Sequence, residues 1–191
     1  MLKSLSLSNF KCFKEKSVFE LGKVTIFSGY NGRGKSSVLQ SLLLLSQSAL
    51  KDGKIDKLHI EGDWVKQGSY EDLIHASAEN WDIEIGITSD DKTCENVELT
   101  YSPINDSLVG KLTKCFVNNE DYFGVVGFAG GADAEAKSLV RELPRNFISQ
   151  LCGIHYISAN RRGPIRFVEQ KEVPEIQKVG KNGEDTINTL A

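Results

Sequence analysis

Hydrophobic and polar positions alternate with period two over residues 2–10, where Leu5 and Leu7 share a face, and this predicts a strand running into Asn9-Phe10-Lys11-Cys12-Phe13. A second strand is expected over 17–21, then a turn at Gly22-Lys23 and a further apolar run over 23–27. The periodicity changes after that. Residues 37–50 read as a helix carrying Val38, Leu39, Leu42, Leu43, Leu45 and Leu50, wider than one stripe and so expected to be buried on more than one side, with Gly53 as its stop. Residues 58–65 suggest a short strand pair around Glu61-Gly62-Asp63.

Four β-rich runs follow, over 81–88, 95–101, 108–117 and 122–128, separated by polar turns at Asp90-Asp91, Asn105-Asp106 and Asn118-Asn119-Glu120. Such a series predicts an antiparallel meander. Residues 132–151 read as a second long helix, broken or kinked at Pro144, and 153–158 as an apolar strand ending in Ala159-Asn160-Arg161-Arg162-Gly163-Pro164. Over 166–191 charge and glycine rise, punctuated by Pro174, Gly180 and Gly183.

Between the apolar run 23–27 and the first helix lies Gly29-Tyr30-Asn31-Gly32-Arg33-Gly34-Lys35-Ser36, which matches the P-loop pattern G-x-x-x-x-G-K-[ST] in the expected strand, loop, helix setting. Glycines at 29, 32 and 34 permit backbone angles that a Cβ penalises and let phosphate oxygens approach the main chain. Consecutive amides and the positive end of the helix dipole then form an anion site for α and β phosphates. Lys35 is expected to reach the β and γ phosphates, and the Ser36 hydroxyl to coordinate Mg²⁺. Candidate nucleotide contacts are therefore Asn31, Gly32, Arg33, Gly34, Lys35, Ser36 and Ser37. Arg33 is not demanded by the pattern, and Ser37 is also readable as support for the first helical turn. A glycine-rich turn matching by chance is the alternative.

Composition narrows the class. With 191 residues, 40% hydrophobic and 26% charged, the chain reads as about one globular domain able to bury a sizeable core. A net charge of -3 gives no global basic signature, so overall charge supplies no argument for nucleic-acid binding, although a local patch is compatible with it. The alternating start does not read as a secretion signal. Leu42 to Leu45 is the most apolar stretch, but Gln40, Ser41, Ser46, Gln47 and Ser48 interrupt it and it is too short to span a bilayer. Cys12, Cys94, Cys115 and Cys152 are too dispersed for a zinc site and read as reduced structural thiols of a cytoplasmic protein; His59, His75 and His155 are equally scattered.

The opening strand, Asn9-Phe10-Lys11, the second strand and Asn31-Gly32-Arg33-Gly34-Lys35-Ser36 together resemble the amino-terminal lobe of ABC-type ATPases of the SMC, RecF and OLD group. The resemblance implies an α/β P-loop NTPase fold, with a mixed sheet and an antiparallel sub-sheet, and ATP with Mg²⁺ as ligand. It also implies that Lys11 approaches the nucleotide phosphates and that the 9–13 turn lies near the base or ribose; an ordinary solvated lysine is the other reading. Residues 36–48, followed by Gly68-Ser69-Tyr70-Glu71-Asp72-Leu73-Ile74-His75, look like one subgroup: stand-alone bacterial AAA-type ATPases, several from anti-phage or toxin-linked gene clusters. The likeness is good over residues 1–80 and thinner beyond. It places a lobe over 1–165, then a linker over 166–191, where Gly180-Lys181-Asn182-Gly183-Glu184-Asp185 resembles a step into a helical lobe.

In the resembled group a strand such as 153–158 delivers a loop that senses Mg²⁺ and the attacking water, often through Gln. Here Asn160, Arg161 and Arg162 stand there instead, and a solvated loop is an equal reading; Gln67 and Gln170 are competing glutamines read as surface residues. Hydrolysis in this superfamily also requires an apolar strand ending in Asp and Glu, and a Ser-Gly-Gly signature given in trans. Asp90-Asp91 follow a half-exposed strand, and Phe128-Ala129-Gly130-Gly131-Ala132 reads as a plain loop, so neither is a convincing substitute. No catalytic residue is assigned. The expectation is an ATP-binding lobe that hydrolyses ATP only with a missing carboxy-terminal half or a partner, pairing with a second copy or a partner protein, and binding nucleotide weakly or not at all alone. The alternative is a non-catalytic interaction module that docks a partner. A small P-loop kinase or GTPase fits less well, because antiparallel strands follow the loop and Asn-Lys-x-Asp is absent.

Overall fold

The computed structural model describes residues 1–104, 108–124, 139–140 and 143–158. Two compact units divide the chain, Met1–Cys152 and Gly153–Ala191. The first is built on a seven-stranded sheet in the order β2-β1-β4-β5-β6-β3, with β7 paired to β6 off that path. Its strands are β1 (Leu2–Ser8), β2 (Ser17–Glu20), β3 (Lys57–His59), β4 (Ile83–Ser89), β5 (Asn96–Pro103), β6 (Val109–Val117) and β7 (Glu120–Asp121). Every pairing in it is antiparallel.

Period-two alternation fixes the register. Leu5 stands opposite Ile87, which faces Val97, which faces Val117; Leu7, Ile85, Leu99 and Cys115 form the next row. All eight side chains are buried. A slip of one residue on any strand would turn its apolar set to water, so burial and pairing specify the same register. A register shift at Thr100/Tyr101 lets Leu112 and Cys115, three residues apart, face the same core. Three of the four runs expected in the meander form it, as β4-β5-β6; of the fourth, Phe123–Gly124 pairs with Leu139–Val140 in a separate two-stranded sheet, and 125–128 lie outside the described residues. Burial pushes the Cys115 thiol up to about 11 and raises the Cys94 thiol as well, which keeps both as inert packing groups.

Helix α1 (Lys35–Asp52) starts two residues before its expected onset and ends on Gly53, whose φ of 66° supplies the left-handed cap and whose amide bonds Ala49 O. Its polar residues are internal connectors. Ser46 Oγ donates to Leu151 O at 2.6 Å on helix α2 (Arg145–Cys152), Ser48 Oγ donates to Leu44 O and accepts from His59 N, and the Gln47 carboxamide donates to His59 O and accepts from Val65 N. Each net bond is worth about 1 kcal/mol, and each replaces an unpaired buried group that costs more. Two buried tyrosines work in the same way: Tyr70 OH donates to Tyr101 O at 2.6 Å, and Tyr101 OH donates to Ile55 O at 2.7 Å.

Several expectations are corrected. Residues 23–27 form no strand: they begin in a bend at 23–24 and have no sheet partner among the described residues, with Val24 81% and Ile26 83% exposed. An apolar run becomes a strand only where a neighbour accepts its main-chain bonds, and none does so among the described residues. The pair expected over 58–65 is instead β3 joined to β6, followed by a tight turn with an isolated Glu61–Lys66 bridge. In place of one helix over 132–151, Leu139–Val140 (β9) pairs with Phe123–Gly124 (β8), and α2 begins after Pro144, which cannot donate inside a helix. In the second unit, residues 154–158 are irregular rather than a strand.

Tyr101→Phe leaves the Ile55 carbonyl without its donor, and urea unfolding is expected to show a loss of about 1–3 kcal/mol with unchanged secondary structure by circular dichroism.

Candidate functional site

The glycine-rich loop takes the backbone form its sequence requires, with positive φ at Gly29 (139°), Gly32 (79°) and Gly34 (87°). Gly34 is the N-cap of α1. It has no side chain to bond the first helical amides, and no acidic residue occupies the first turn. The amides of residues 29–37 donate to no protein acceptor among the described residues, so the loop and the helix N-terminus that follows it leave a run of N–H groups without protein partners. Asn31, Gly32, Arg33 and Ser36 are exposed, and Lys35 and Ser37 are half-buried. The Lys35 ammonium donates to Gly29 O at 2.7 Å and Tyr30 O at 2.8 Å, curling the side chain back over the loop and leaving its third donor available.

The loop rests on the amino-terminal turn. Phe10 and Phe13 exchange both main-chain bonds at 2.9 Å, which closes a tight two-residue turn with Lys11 at its tip in left-handed conformation (φ 51°). That turn packs against Gly34, where an added Cβ would stand 2.4 Å from Phe13 Cζ and 2.6 Å from Cys12 Sγ. Phe13 in turn meets Phe19 edge to face, and Phe19 meets Phe27, so a line of three rings runs beneath the inbound side of the loop. Asn9, also left-handed, fixes the base of the turn by donating Nδ2 to Asn80 O and Asp82 O.

Lys11 does not reach the loop. Its ammonium donates to Gln40 Oε1 on α1 at 2.7 Å and to Gln67 Oε1, and its amide donates to Leu73 O at 2.7 Å. Burial lowers its pKa, partly offset by the negative charge of Asp72. Asp72 accepts from Ser69 N at 2.8 Å and from Ser69 Oγ at 2.9 Å, and these bonds hold its carboxyl below the usual carboxylate range. Gln67 is therefore half-buried and bonded to the site, not the surface residue its sequence context suggests. Gln40 and Gln67 were invisible to motif reading, since their contact with Lys11 spans 29 and 56 residues of sequence.

The remaining candidates separate. Asp90 pairs with the Met1 amino group, and Asp91 caps Thr93 and accepts from Asn146, so both serve turns. Buried His59 binds Asp52 at 2.6 Å, whereas His155 is exposed. No group of three His, Cys, Asp or Glu is placed to hold a metal ion among the described residues, so at this loop the protein offers a divalent cation the Ser36 hydroxyl and no carboxylate set. Asn160, Arg161, Arg162 and Gln170, like the loop 128–132 and the segment 166–191, lie outside the described residues. No helix of the described residues is long and apolar enough to cross a membrane.

Comparison with known proteins adds a family. The family model described as AAA ATPase domain matches residues 1–184. Among solved structures, one described as structural biochemistry of ATP-driven dimerization and DNA-stimulated activation of SMC ATPases is similar at 19% identity, covering 78% of this chain and 76% of that one, with a TM-score of 0.38. No curated protein matches.

Two outcomes check the geometry. Gly34→Ala places a methyl group inside the Phe13–Cys12 contact and strains a left-handed position, and thermal unfolding should show a loss of about 1–3 kcal/mol. For Asp72, whose folded pKa lies below its unfolded value, the contribution to the 69–72 turn is complete above the ordinary carboxylate range and is lost as pH falls through the lowered value. The Ser69 amide resonance should follow that acid titration, and Asp72→Asn should abolish it.

Proposed function

Because the chain belongs to the AAA ATPase domain family, we propose that it binds ATP with Mg²⁺ through the loop 29–37 and forms one lobe of an ATPase whose hydrolytic site another half or partner completes. The observation that carries this reading is the uncapped start of α1: free amides, three left-handed glycines, no acid in the first turn and one ammonium folded over the opening. In the proposed complex the amides of Asn31, Gly32, Arg33, Gly34, Lys35, Ser36 and Ser37 cradle the phosphates. Lys35 would exchange neutral carbonyl oxygens for anionic phosphate oxygens, a gain because cation and anion then attract directly in addition to hydrogen bonding. Ser36 would offer its hydroxyl oxygen to Mg²⁺. When bound, the nucleotide supplies the transferable phosphoryl group and the metal its charge neutralisation.

What this lobe lacks supports a shared site. Among the described residues no carboxylate set accompanies Ser36, and 23–27 leads into the loop with no sheet partner for its backbone and with Val24 and Ile26 exposed. A strand laid beside 23–27 would cover Val24 and Ile26 and steady the loop, and a second copy or a partner protein is the proposed source of that completion. We take residues 1–165 as the lobe and 166–191 as the link to what completes it. The same exposed run favours the second reading, an interaction module in which docking is the function and nucleotide is structural or absent.

Titration of the chain with ATP and Mg²⁺, followed by NMR, is expected to shift resonances of residues 29–37, and Lys35→Ala to weaken binding at least tenfold, the scale of about 1.5–3 kcal/mol for a bond to a charged group. Unchanged spectra at millimolar nucleotide would remove the nucleotide reading and leave the docking one. The isolated chain should show no ATP turnover; turnover that disappears in Lys35→Ala would overturn the need for a completing half.

A further inference from the structure

Lys11 carries a charge whose side-chain hydrogen bonds go to neutral groups among the described residues, with the Asp72 carboxylate acting on it from beyond ion-pair distance. Its ammonium is half-buried, it forms no ion pair within 4.0 Å among the described residues, and its acceptors are the side-chain oxygens of Gln40 and Gln67. Desolvation already disfavours the charged form there. Its main chain, by contrast, cannot move: the turn is closed by the Phe10–Phe13 pair, and the Lys11 amide is bonded to Leu73 O. Only the four-carbon stem is free to swing.

The anion site lies within its reach. Gln40 follows Ser36 by four residues on α1, so the two side chains are neighbours on one helix face, with Cβ atoms about 5–6 Å apart. The residues after Lys11, Cys12 and Phe13, touch Gly34 at the mouth of the loop. An ammonium resting on Gln40 is thus about one helical turn from the proposed metal and phosphate position. We propose that Gln40 and Gln67 park the Lys11 ammonium, and that a nucleotide phosphate bound at the loop withdraws it, freeing Gln67 and loosening the 67–73 segment. This rests on the nucleotide reading and adds a regulated element to it.

The segment is built to register the change. Gln67 is followed by Gly68 (φ 81°), then by Ser69, which is tied to Asp72, and then by Leu73, which holds the Lys11 amide. Bonds among 11, 67, 69, 72 and 73 close a ring in which the Lys11–Gln67 link is the side-chain corner. The exchange swaps two neutral acceptors for anionic oxygens. Parking therefore opposes binding, and the sign of each substitution follows from that.

ATP with Mg²⁺ is titrated by NMR into the wild-type chain, Gln67→Glu, the double variant Gln40→Leu/Gln67→Leu, Lys11→Met and Lys35→Ala, with amide exchange of 66–73 measured with and without nucleotide. The double variant is expected to melt lower yet bind ATP three- to tenfold tighter, because the ammonium has lost its resting acceptors. Gln67→Glu, which strengthens the resting contact, should weaken binding by a similar factor without loss of stability. Lys11→Met should weaken binding, and the nucleotide-induced rise in exchange at 67–69 should vanish in it. If the double variant binds no tighter than wild type, or Gln67→Glu no weaker, while Lys35→Ala still loses binding, parking is wrong and the nucleotide reading stands. If the wild type shows no Lys35-dependent binding, both fall together.

Discussion

The contact between Gly34 and the turn at Cys12 and Phe13 is the constraint around which this lobe is arranged. It exists only because residue 34 lacks a Cβ and adopts a positive φ, two conditions that glycine alone meets without strain. Through it the first strand of the sheet, which ends in that turn, is held to the first turn of α1. The glycine-rich loop is thereby anchored, at Gly34, both to the turn that ends β1 and to the helix it opens. Lys11, at the tip of the same turn, is delivered to the helix face beside the loop as a consequence of that packing.

Much of this was legible in the residues and part was not. Strands β1, β4, β5 and β6 follow from alternation because one sheet face is buried, and the helix end at Gly53 follows from the left-handed cap only glycine takes easily. Residues 23–27 misled because β propensity describes a side-chain fit, whereas a strand also requires a partner backbone. Leu139–Val140 misled in the opposite direction: a helical pattern on one side of Pro144 lost to pairing with Phe123–Gly124. The loop's own conformation was readable because its chemistry is main-chain and local. The Lys11–Gln40–Gln67 cluster was not, since glutamine has no periodicity and no preferred partner, and its meaning appears only when residues far apart in sequence meet.

The polar residues of α1 show the same division. Ser41, Ser46, Gln47 and Ser48 look like interruptions of an apolar helix, yet all are buried. Ser46, Gln47 and Ser48 tie α1 to α2, to β3 and to the turn before the 66–73 segment. A helix anchored in this manner cannot easily rotate or slide. Its amino end, with Gly34 packed against Cys12 and Phe13, is therefore held in a fixed place on the core.

The inbound limb of the loop differs from the outbound one. The outbound limb is the first turn of a helix locked into the core, while among the described residues 23–27 is held by the ring of Phe27 against Phe19 and by the Gly22 amide bonded to Thr25 Oγ1. A loop anchored less firmly on one side loses conformational entropy if a ligand orders that side, and affinity is lowered by that amount. On the proposed reading, whatever clamps residues 23–27 would tighten nucleotide binding without touching the nucleotide, so that occupancy of the loop would report on assembly.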